Sequence, residues 1–527
     1  MTNDDAKQGT IATATVHYKL YPEANKNIFL GVVVVLVSVA SPIPLLFSNG
    51  IIISAFAIPV LLAVAFISFQ RLDWGFYLLV GSVLLFDQFG HKQNESFSFL
   101  TGGVQYFTNL RDIPYLPRLD FATFNGFELH FFFIVTIWFF VAIVAKRMAL
   151  VPVPLWISAV LFFLWLLFSF FHGLLSGGAF LPALWELRAL FYFCLMFFFV
   201  PQIIQTKQQV RALLWVCMLA VSIKTLQALV NFMRAGLTFG HYDFLTASQE
   251  DAVFIVSMLL LFSSMMMLNV KGTQRYALIA LLTPLWIAFL AANRRAAYVS
   301  LVSSLVSSVF LVPKKIRLKV LSWGIGFTIL ILVYLAIFWN NESRLAIPAM
   351  QIKSILFQDD PSIAGYRNYS SNVYREAETY NLAYTIGQSP ILGVGFGKPY
   401  STPINLFLTF GLSKYVAHNS LLWLFMRTGL VGFALFLFFF NSFIHAASKT
   451  FTRISDPYSK AVCLTIILAI VNQIINTNVE MHFTLYRTMV FLGVLMGLQP
   501  ALLDGKKGSN TDAEVDISMP KAHSIFS

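Results

Sequence analysis

The chain has 527 residues, of which 58% are hydrophobic and only 11% charged, and it contains 54 phenylalanines. That is more apolar side chain than a soluble core of this size can bury, so a water-soluble domain is excluded and a polytopic membrane protein is indicated. The net charge of +12 sits in short Lys and Arg clusters between apolar runs, the pattern of loops beside anionic lipid, and implies no nucleic-acid groove.

Residues 1–26 are polar and carry Asp4, Asp5 and Glu23, a poor start for a signal peptide. Ser38-Val39-Ala40 is a cleavage-like tripeptide inside the first apolar run, which we read as an uncleaved first span. With a span taken as roughly 17 to 25 apolar residues, about fourteen candidates follow, starting near 28, 50, 74, 126, 150, 187, 210, 251, 276, 296, 320, 418, 460 and 483. Pro42, Pro44 and Asn49-Gly50 favour a turn between the first two. Cys194, Cys217 and Cys463 fall inside apolar runs without metal-ligand spacing and read as small core residues.

Lys19 and Lys26, Arg71, Lys146 and Arg147, Lys207 and Arg211, Lys271 and Arg275, the run 313–319, Lys449, Arg453 and Lys460, and Lys506 and Lys507 all fall on one side. The positive-inside rule makes that side cytoplasmic, with both termini inside. The predicted fold is an all-α polytopic membrane protein of about 12–14 transmembrane helices. It divides into a cytoplasmic segment 1–26, transmembrane helices with short loops over 27–340, one large outer loop 341–417, C-terminal spans over 418–500 and a disordered cytoplasmic tail 501–527.

Three outer segments are long, 90–125, 233–250 and above all 341–417. The last is rich in tyrosine (Tyr366, Tyr369, Tyr374, Tyr380, Tyr384, Tyr400, Tyr415), which suits both stacking on sugar rings and packing of a small domain. His418 opens the following span, and Arg294-Arg295 occupies the outer turn between the spans near 276 and 296. Two adjacent arginines there either snorkel to headgroups or clamp an anion, since guanidinium forks match phosphate oxygens. His418 is a helix-end anchor or a reacting base, and Asn419 can cap the helix by itself. Arg375 pairs with Glu376 or Glu378 in the loop, or joins the anion site. Glu480 and His482, in the outer turn before the last span, belong to the site or face solvent. His130 and His172 lie at outer span ends without a motif, and His445, His17 and His523 lie elsewhere. The glycines of GVGFG lack the strand and helix of a dinucleotide site and read as a tight turn allowing close backbone approach.

Three stretches resemble the O-antigen ligase and polymerase superfamily of bacterial envelope glycosyltransferases. AHNSLLWLFMRTGLVG is similar to its His motif, with His418, Asn419, Gly429 and Gly432. YREAETYNLAYTIGQSPILGVGFG resembles the segment in which an arginine precedes a Pro-x-x-Gly-x-Gly turn, here Arg375, Pro390, Gly393 and Gly395. ANRRAAYVSL is similar to the Ser-Arg-small segment that opens a helix, with Asn293 in place of the serine and Arg294 matching the arginine. The likeness covers about residues 180 to 500, and ALWELRALFYF, with Glu186 and Arg188, resembles a further segment.

The resemblance implies a fold like that of the type C membrane glycosyltransferases and a multi-pass protein of the bacterial inner membrane whose outer loop is periplasmic. It implies a donor glycan linked to undecaprenyl diphosphate, with Arg294, Arg295 and Arg375 on the diphosphate and His418 serving the acceptor hydroxyl. Asn419, Arg188, Glu480 and His482 are accessory candidates. No metal and no cofactor are expected, because fixed guanidinium groups can stabilise the departing diphosphate, and an imidazole suits a sugar hydroxyl. Lipid A core, a growing glycan and a protein all remain open as acceptors. Two other classes stand beside this reading. A transporter or flippase for a glycolipid or small anion would use intramembrane charges, here Lys224, Arg427 and Arg487. A metal-dependent oligosaccharyltransferase would need carboxylates such as Asp359-Asp360.

Overall fold

The computed structural model describes residues 57–88, 106–113, 123–146, 148, 150–234, 250–341, 343–360, 362, 365–406 and 412–503. The polar segment 1–26, the span near 28, the start of the span near 50, most of the outer segments 90–125 and 233–250, and the tail beyond 503 lie outside the described residues.

The named elements are all helical, and the one strand-like pairing among the described residues is an isolated bridge between Asn109 and Asn125. In chain order the α-helices are α1 (Ala57–Gln70), α2 (Leu72–Leu85), α3 (Gly126–Phe139), α4 (Trp156–Leu175), α5 (Phe180–Ile203), α6 (Lys207–Arg234), α7 (Glu250–Met267) and α8 (Thr273–Ala291). They continue with α9 (Arg295–Leu311), α10 (Lys314–Phe338), α11 (Ile347–Leu356), α12 (Tyr366–Gln388), α13 (Ser420–Arg453), α14 (Pro457–Asn476), α15 (Tyr486–Gly497) and α16 (Gln499–Leu502). Among the described residues nine helices are long and apolar enough to cross a membrane, and four shorter apolar helices fall at further predicted spans. The protein is an all-α polytopic membrane protein. Helix α10 shows why: beyond its basic first turns it is apolar on every side, yet Val320 is its one buried residue, an arrangement that hydrocarbon accommodates and water does not.

Small residues let the inner helices approach. On α15, Gly493 sits against the Phe193 carbonyl and Gly497 against Val200 of α5. On α9, Ser300, Ser304 and Ser308 form a buried stripe at i, i+4 spacing, and Asn476 at the end of α14 donates to Ser300 Oγ at 2.9 Å. That contact ties the helix beginning at Arg295 to the turn that holds Glu480. Cys194, Cys217 and Cys463 are free and buried, as expected of core residues.

The large loop is built around α11 and α12. Helix α12 presents two faces. Tyr374, Glu378, Asn381 and Thr385 are buried at helical spacing; Asn381 exchanges hydrogen bonds with Ile404 at 2.8 and 3.0 Å, and Thr385 Oγ1 accepts from the Ser401 amide at 3.0 Å. Asn372, Arg375, Thr379 and Ala383 line the neighbouring cavity.

Helix α13 is interrupted at Gly429, whose φ of 65° and ψ of −173° belong to a region essentially restricted to glycine. The segment after Pro390 fills the break. Its Val394 and Gly395 amides donate to the Met426 and Arg427 carbonyls at 2.9 and 3.1 Å, while the Leu430 and Val431 amides donate to the Pro390 and Ile391 carbonyls at 2.9 and 3.3 Å. Trp165 Nε1 takes the Thr428 carbonyl at 2.9 Å. The Met426, Arg427 and Thr428 carbonyls and the Leu430 and Val431 amides around the kink thus have protein partners, as a break within a membrane bundle requires. A Cβ on Gly395 (φ 79°) would strike the Gly173 backbone, so the tight turn and close approach read from GVGFG are present. Arg427, wholly buried, locks the splice by donating to the Gly395, Lys398 and Tyr415 carbonyls and pairing with Glu186 at 2.7 Å.

Candidate active site

Between α9, α12 and the junction of α14 with the following turn lies a cavity of about 690 Å³. Its polar wall includes Arg295, Asn372, Arg375, Glu378, His418 and Asn419, and Ala296, Val299 and Ile475 supply an apolar side. Four residues predicted for the site, Arg295, Arg375, His418 and Asn419, therefore meet around one space.

Backbone geometry aims the arginine pair. Asn293 adopts a left-handed φ of 52°, which asparagine tolerates better than most residues, and turns the chain sharply so that Arg294 caps α9 and Arg295 begins it. Arg295 Nη2 donates to Asn372 Oδ1 at 2.9 Å, and its Nη1 reaches the Ser354 carbonyl at 3.5 Å. Arg294 Nη1 and Arg375 Nη2 both approach Glu480 Oε1, at 3.8 and 3.5 Å. Both arginine side chains are more than a quarter exposed, whereas Glu480 is buried. Burial alone would raise the Glu480 pKa, but Arg294 and Arg375 outweigh it and hold the carboxylate below its ordinary range. Arg375 Nε is buried without a hydrogen-bond partner. The loop carboxylates adjacent to Arg375 in sequence do not take it; Glu480, 105 residues away, does.

His418 sits at the start of α13, where the cap is supplied by Asn419, whose side chain accepts from the Leu422 amide at 3.0 Å. The imidazole is thus not needed as a cap. Its Nδ1 lies 3.3 and 3.2 Å from the two carboxylate oxygens of Glu378, and the His418 amide donates to Glu378 Oε2 at 2.8 Å. The Tyr374 ring stands edge-on at 5.6 Å. Burial, helped by Glu378, pushes the Tyr374 hydroxyl up to about 12, so it is protonated at neutral pH.

The remaining candidates fall outside the cavity wall. His482 is buried in the turn behind Glu480, its amide donating to the Glu480 carbonyl at 2.9 Å. Its Nδ1 has no hydrogen-bond partner, and burial lowers its pKa to about 4 despite Glu480. Arg188 is engaged elsewhere, by Asn109 Oδ1 at 2.9 Å, the Thr123 carbonyl at 2.5 Å and Glu128 at 3.3 Å. Glu378 and Tyr374, which complete the surroundings of His418, carry no site motif in the sequence; their spacing of four residues, which puts both on one helical face, is the signal that joins them. Among the described residues no group of three or more His, Cys, Asp and Glu side chains gathers in a metal-binding arrangement.

Comparison with curated proteins finds no match. Residues 277–437, under a third of the chain, match the family model described as O-antigen ligase. That interval holds Arg294, Arg295, Arg375, Glu378, His418 and Asn419 and stops before Glu480 and His482. For that interval the match supports the O-antigen ligase and polymerase superfamily, of the O-antigen ligase type of membrane glycosyltransferase.

Proposed function

We propose that the protein transfers or polymerises a glycan from an undecaprenyl-diphosphate donor onto an acceptor hydroxyl at the periplasmic face of the inner membrane, without a metal and with inversion. The observation that carries the reading is the convergence of Arg295, Arg375 and His418 on one cavity, with Arg294 and Arg375 sharing Glu480 behind it. Guanidinium groups suit the diphosphate because they bind its oxygens bidentately and remain charged at any working pH. The leaving diphosphate is a weak base, so it needs charge stabilisation more than protonation, and fixed arginines supply it. The long contacts to Glu480 and the unpartnered Arg375 Nε leave donor capacity for an arriving anion.

In the reaction the acceptor oxygen bonds to the anomeric carbon as its proton passes to His418. The bond from that carbon to the diphosphate oxygen breaks, its electron pair leaving with the lipid diphosphate. The imidazolium then returns its proton to water. Attack opposite the leaving group inverts the anomeric centre. The apolar wall at Ala296, Val299 and Ile475 would adjoin the lipid part of the donor.

Transfer from a purified undecaprenyl-diphosphate glycan, normalised to folded protein, tests this. His418→Ala should lower turnover by about 10²- to 10⁴-fold with donor binding retained. Arg375→Ala should weaken donor binding, and Arg375→Lys should rescue it poorly, since an ammonium lacks the planar fork. Wild-type turnover in His418→Ala would sink the mechanism.

A further inference from the structure

We propose that Glu378 is a positioning residue for His418: its buried carboxylate holds the imidazole in the tautomer protonated at Nδ1, so that Nε2 is the atom that takes the acceptor proton. This rests on the reading that His418 serves the acceptor hydroxyl.

The geometry defines the tautomer. An ionised carboxylate only accepts hydrogen bonds. Both Glu378 oxygens face Nδ1, at 3.3 and 3.2 Å, and Oε2 also receives the His418 amide at 2.8 Å. Nδ1 must therefore carry the proton for the contact to be attractive, and the lone pair is then on Nε2. Glu378 is itself immobilised. It is 1% exposed, it lies mid-helix on α12, and Asn381 and Thr385 one and two turns further on anchor the same face to residues 401–404. The Tyr374 ring, edge-on at 5.6 Å, limits rotation of the imidazole. When the acceptor O–H bond breaks and its proton moves to Nε2, the ring becomes an imidazolium, and the adjacent carboxylate stabilises that positive charge without taking a proton itself, the arrangement used by carboxylate–histidine pairs in acyl transfer. The bond made is from the acceptor oxygen to the anomeric carbon, the bond lost is to the diphosphate, and the proton leaves Nε2 to water afterwards.

A purely structural role is the competing account, since Glu378 also ties α12 to the start of α13 through the His418 amide. Glu378→Gln separates the two. It keeps the shape and an oxygen for the amide, but it removes the charge that stabilises the imidazolium and puts an NH₂ donor in place of the second oxygen facing Nδ1. Assayed with the purified lipid-diphosphate donor and the full-length protein, Glu378→Gln should lower kcat on the order of 100-fold while donor KM stays within about threefold. In a His418→Ala background the same change should alter turnover by less than about threefold, because residues that act as a unit are not additive. If Glu378→Gln folds poorly, Glu378→Asp replaces it in the same cycle, keeping the charge with a shorter reach, and should show a smaller loss with the same non-additivity. Wild-type kcat per folded molecule, or an equal loss with and without His418, would overturn the proposal. With His418→Ala inactive, either result leaves standing the reading that His418 serves the acceptor hydroxyl; wild-type turnover in His418→Ala removes that reading instead.

Discussion

Two of the places where arginines meet carboxylates differ in burial, in contact length and in how fully each arginine is used. Inside the bundle, Arg487 is wholly buried and every nitrogen of its guanidinium is engaged: Nε with the Val83 carbonyl at 2.9 Å, Nη1 with Glu250 at 3.1 Å, Nη2 with the Leu84 carbonyl and Asp251, both at 2.7 Å. Lys224 joins the network through Asp87 at 2.5 Å and Asp251 at 3.4 Å. Behind the cavity wall, Arg294 and Arg375 reach one carboxylate at 3.8 and 3.5 Å, keep part of their surface exposed, and leave Arg375 Nε unpartnered. Saturated charge in a low-dielectric interior holds helices together. Charge left unsaturated beside a cavity is what an anionic substrate can use.

The comparison is broken most directly at Arg487. Arg487→Met removes the cation shared by Asp87, Glu250 and Asp251, and removing one partner from a buried charge network typically costs about 3–5 kcal/mol. The expected result is a large fall in folded yield and melting temperature in detergent, with activity lost only in proportion. Arg375→Met should melt close to wild type and lose transfer. The reverse pattern would mean that the cavity arginines are structural and the interior ones functional.

A smaller effect is expected at the splice between the segment after Pro390 and α13. Gly429→Ala puts a Cβ on a residue at φ 65° and ψ −173°, where it would also overlap the Ile391 carbonyl. Such backbone strain is worth about 1–3 kcal/mol, read as a lower melting temperature. An unchanged melt would show that the segment after Pro390 does not depend on the break in α13.

Much of the architecture could be read from sequence because a membrane span is written locally, in one apolar run of sufficient length. Each predicted start from 74 onward meets an apolar helix, and so does the described part of the span near 50. Arg294, Arg295, Arg375, His418 and Asn419 could be assembled because all lie at span ends or in the large loop. Their partners could not. Glu378 stood as a salt-bridge partner for Arg375 three residues away on one helix, yet the structure gives Glu378 to His418 and Arg375 to Glu480. Lys224, Arg427 and Arg487, which as lone intramembrane charges would suit a transporter, find Asp87 and Asp251, Glu186, and Glu250 with both aspartates. Those pairings join residues from 27 to 400 positions apart, and only the packing of helices brings them within reach. Arg188, an accessory candidate by its place at a span end, has its guanidinium committed to Glu128, Asn109 and Thr123.

The site end also has a titration signature that the arginine network of the interior does not share, because a buried histidine lies against Glu480. An unfolded histidine titrates near 6.5, and burial, opposed by Glu480 and reinforced by Arg294, brings His482 down to about 4. Between those values the unfolded chain binds the additional proton, so stability rises with pH through the window and falls as the solution is acidified. Above 6.5 the residue is neutral in both states and contributes no slope. Glu480 acts lower: its folded pKa lies below the ordinary 4.5, so its stabilisation is present above that value and is lost as pH falls through the folded one. One pH unit inside the histidine window is worth at most about 1.4 kcal/mol, the smallest of these effects. His482→Gln removes the titrating group while keeping a polar side chain, so the wild type should lose melting temperature between pH 6.5 and 4 more steeply than the variant. Parallel curves would mean that His482 is not held neutral in the folded protein, and that the turn behind Glu480 is open to water.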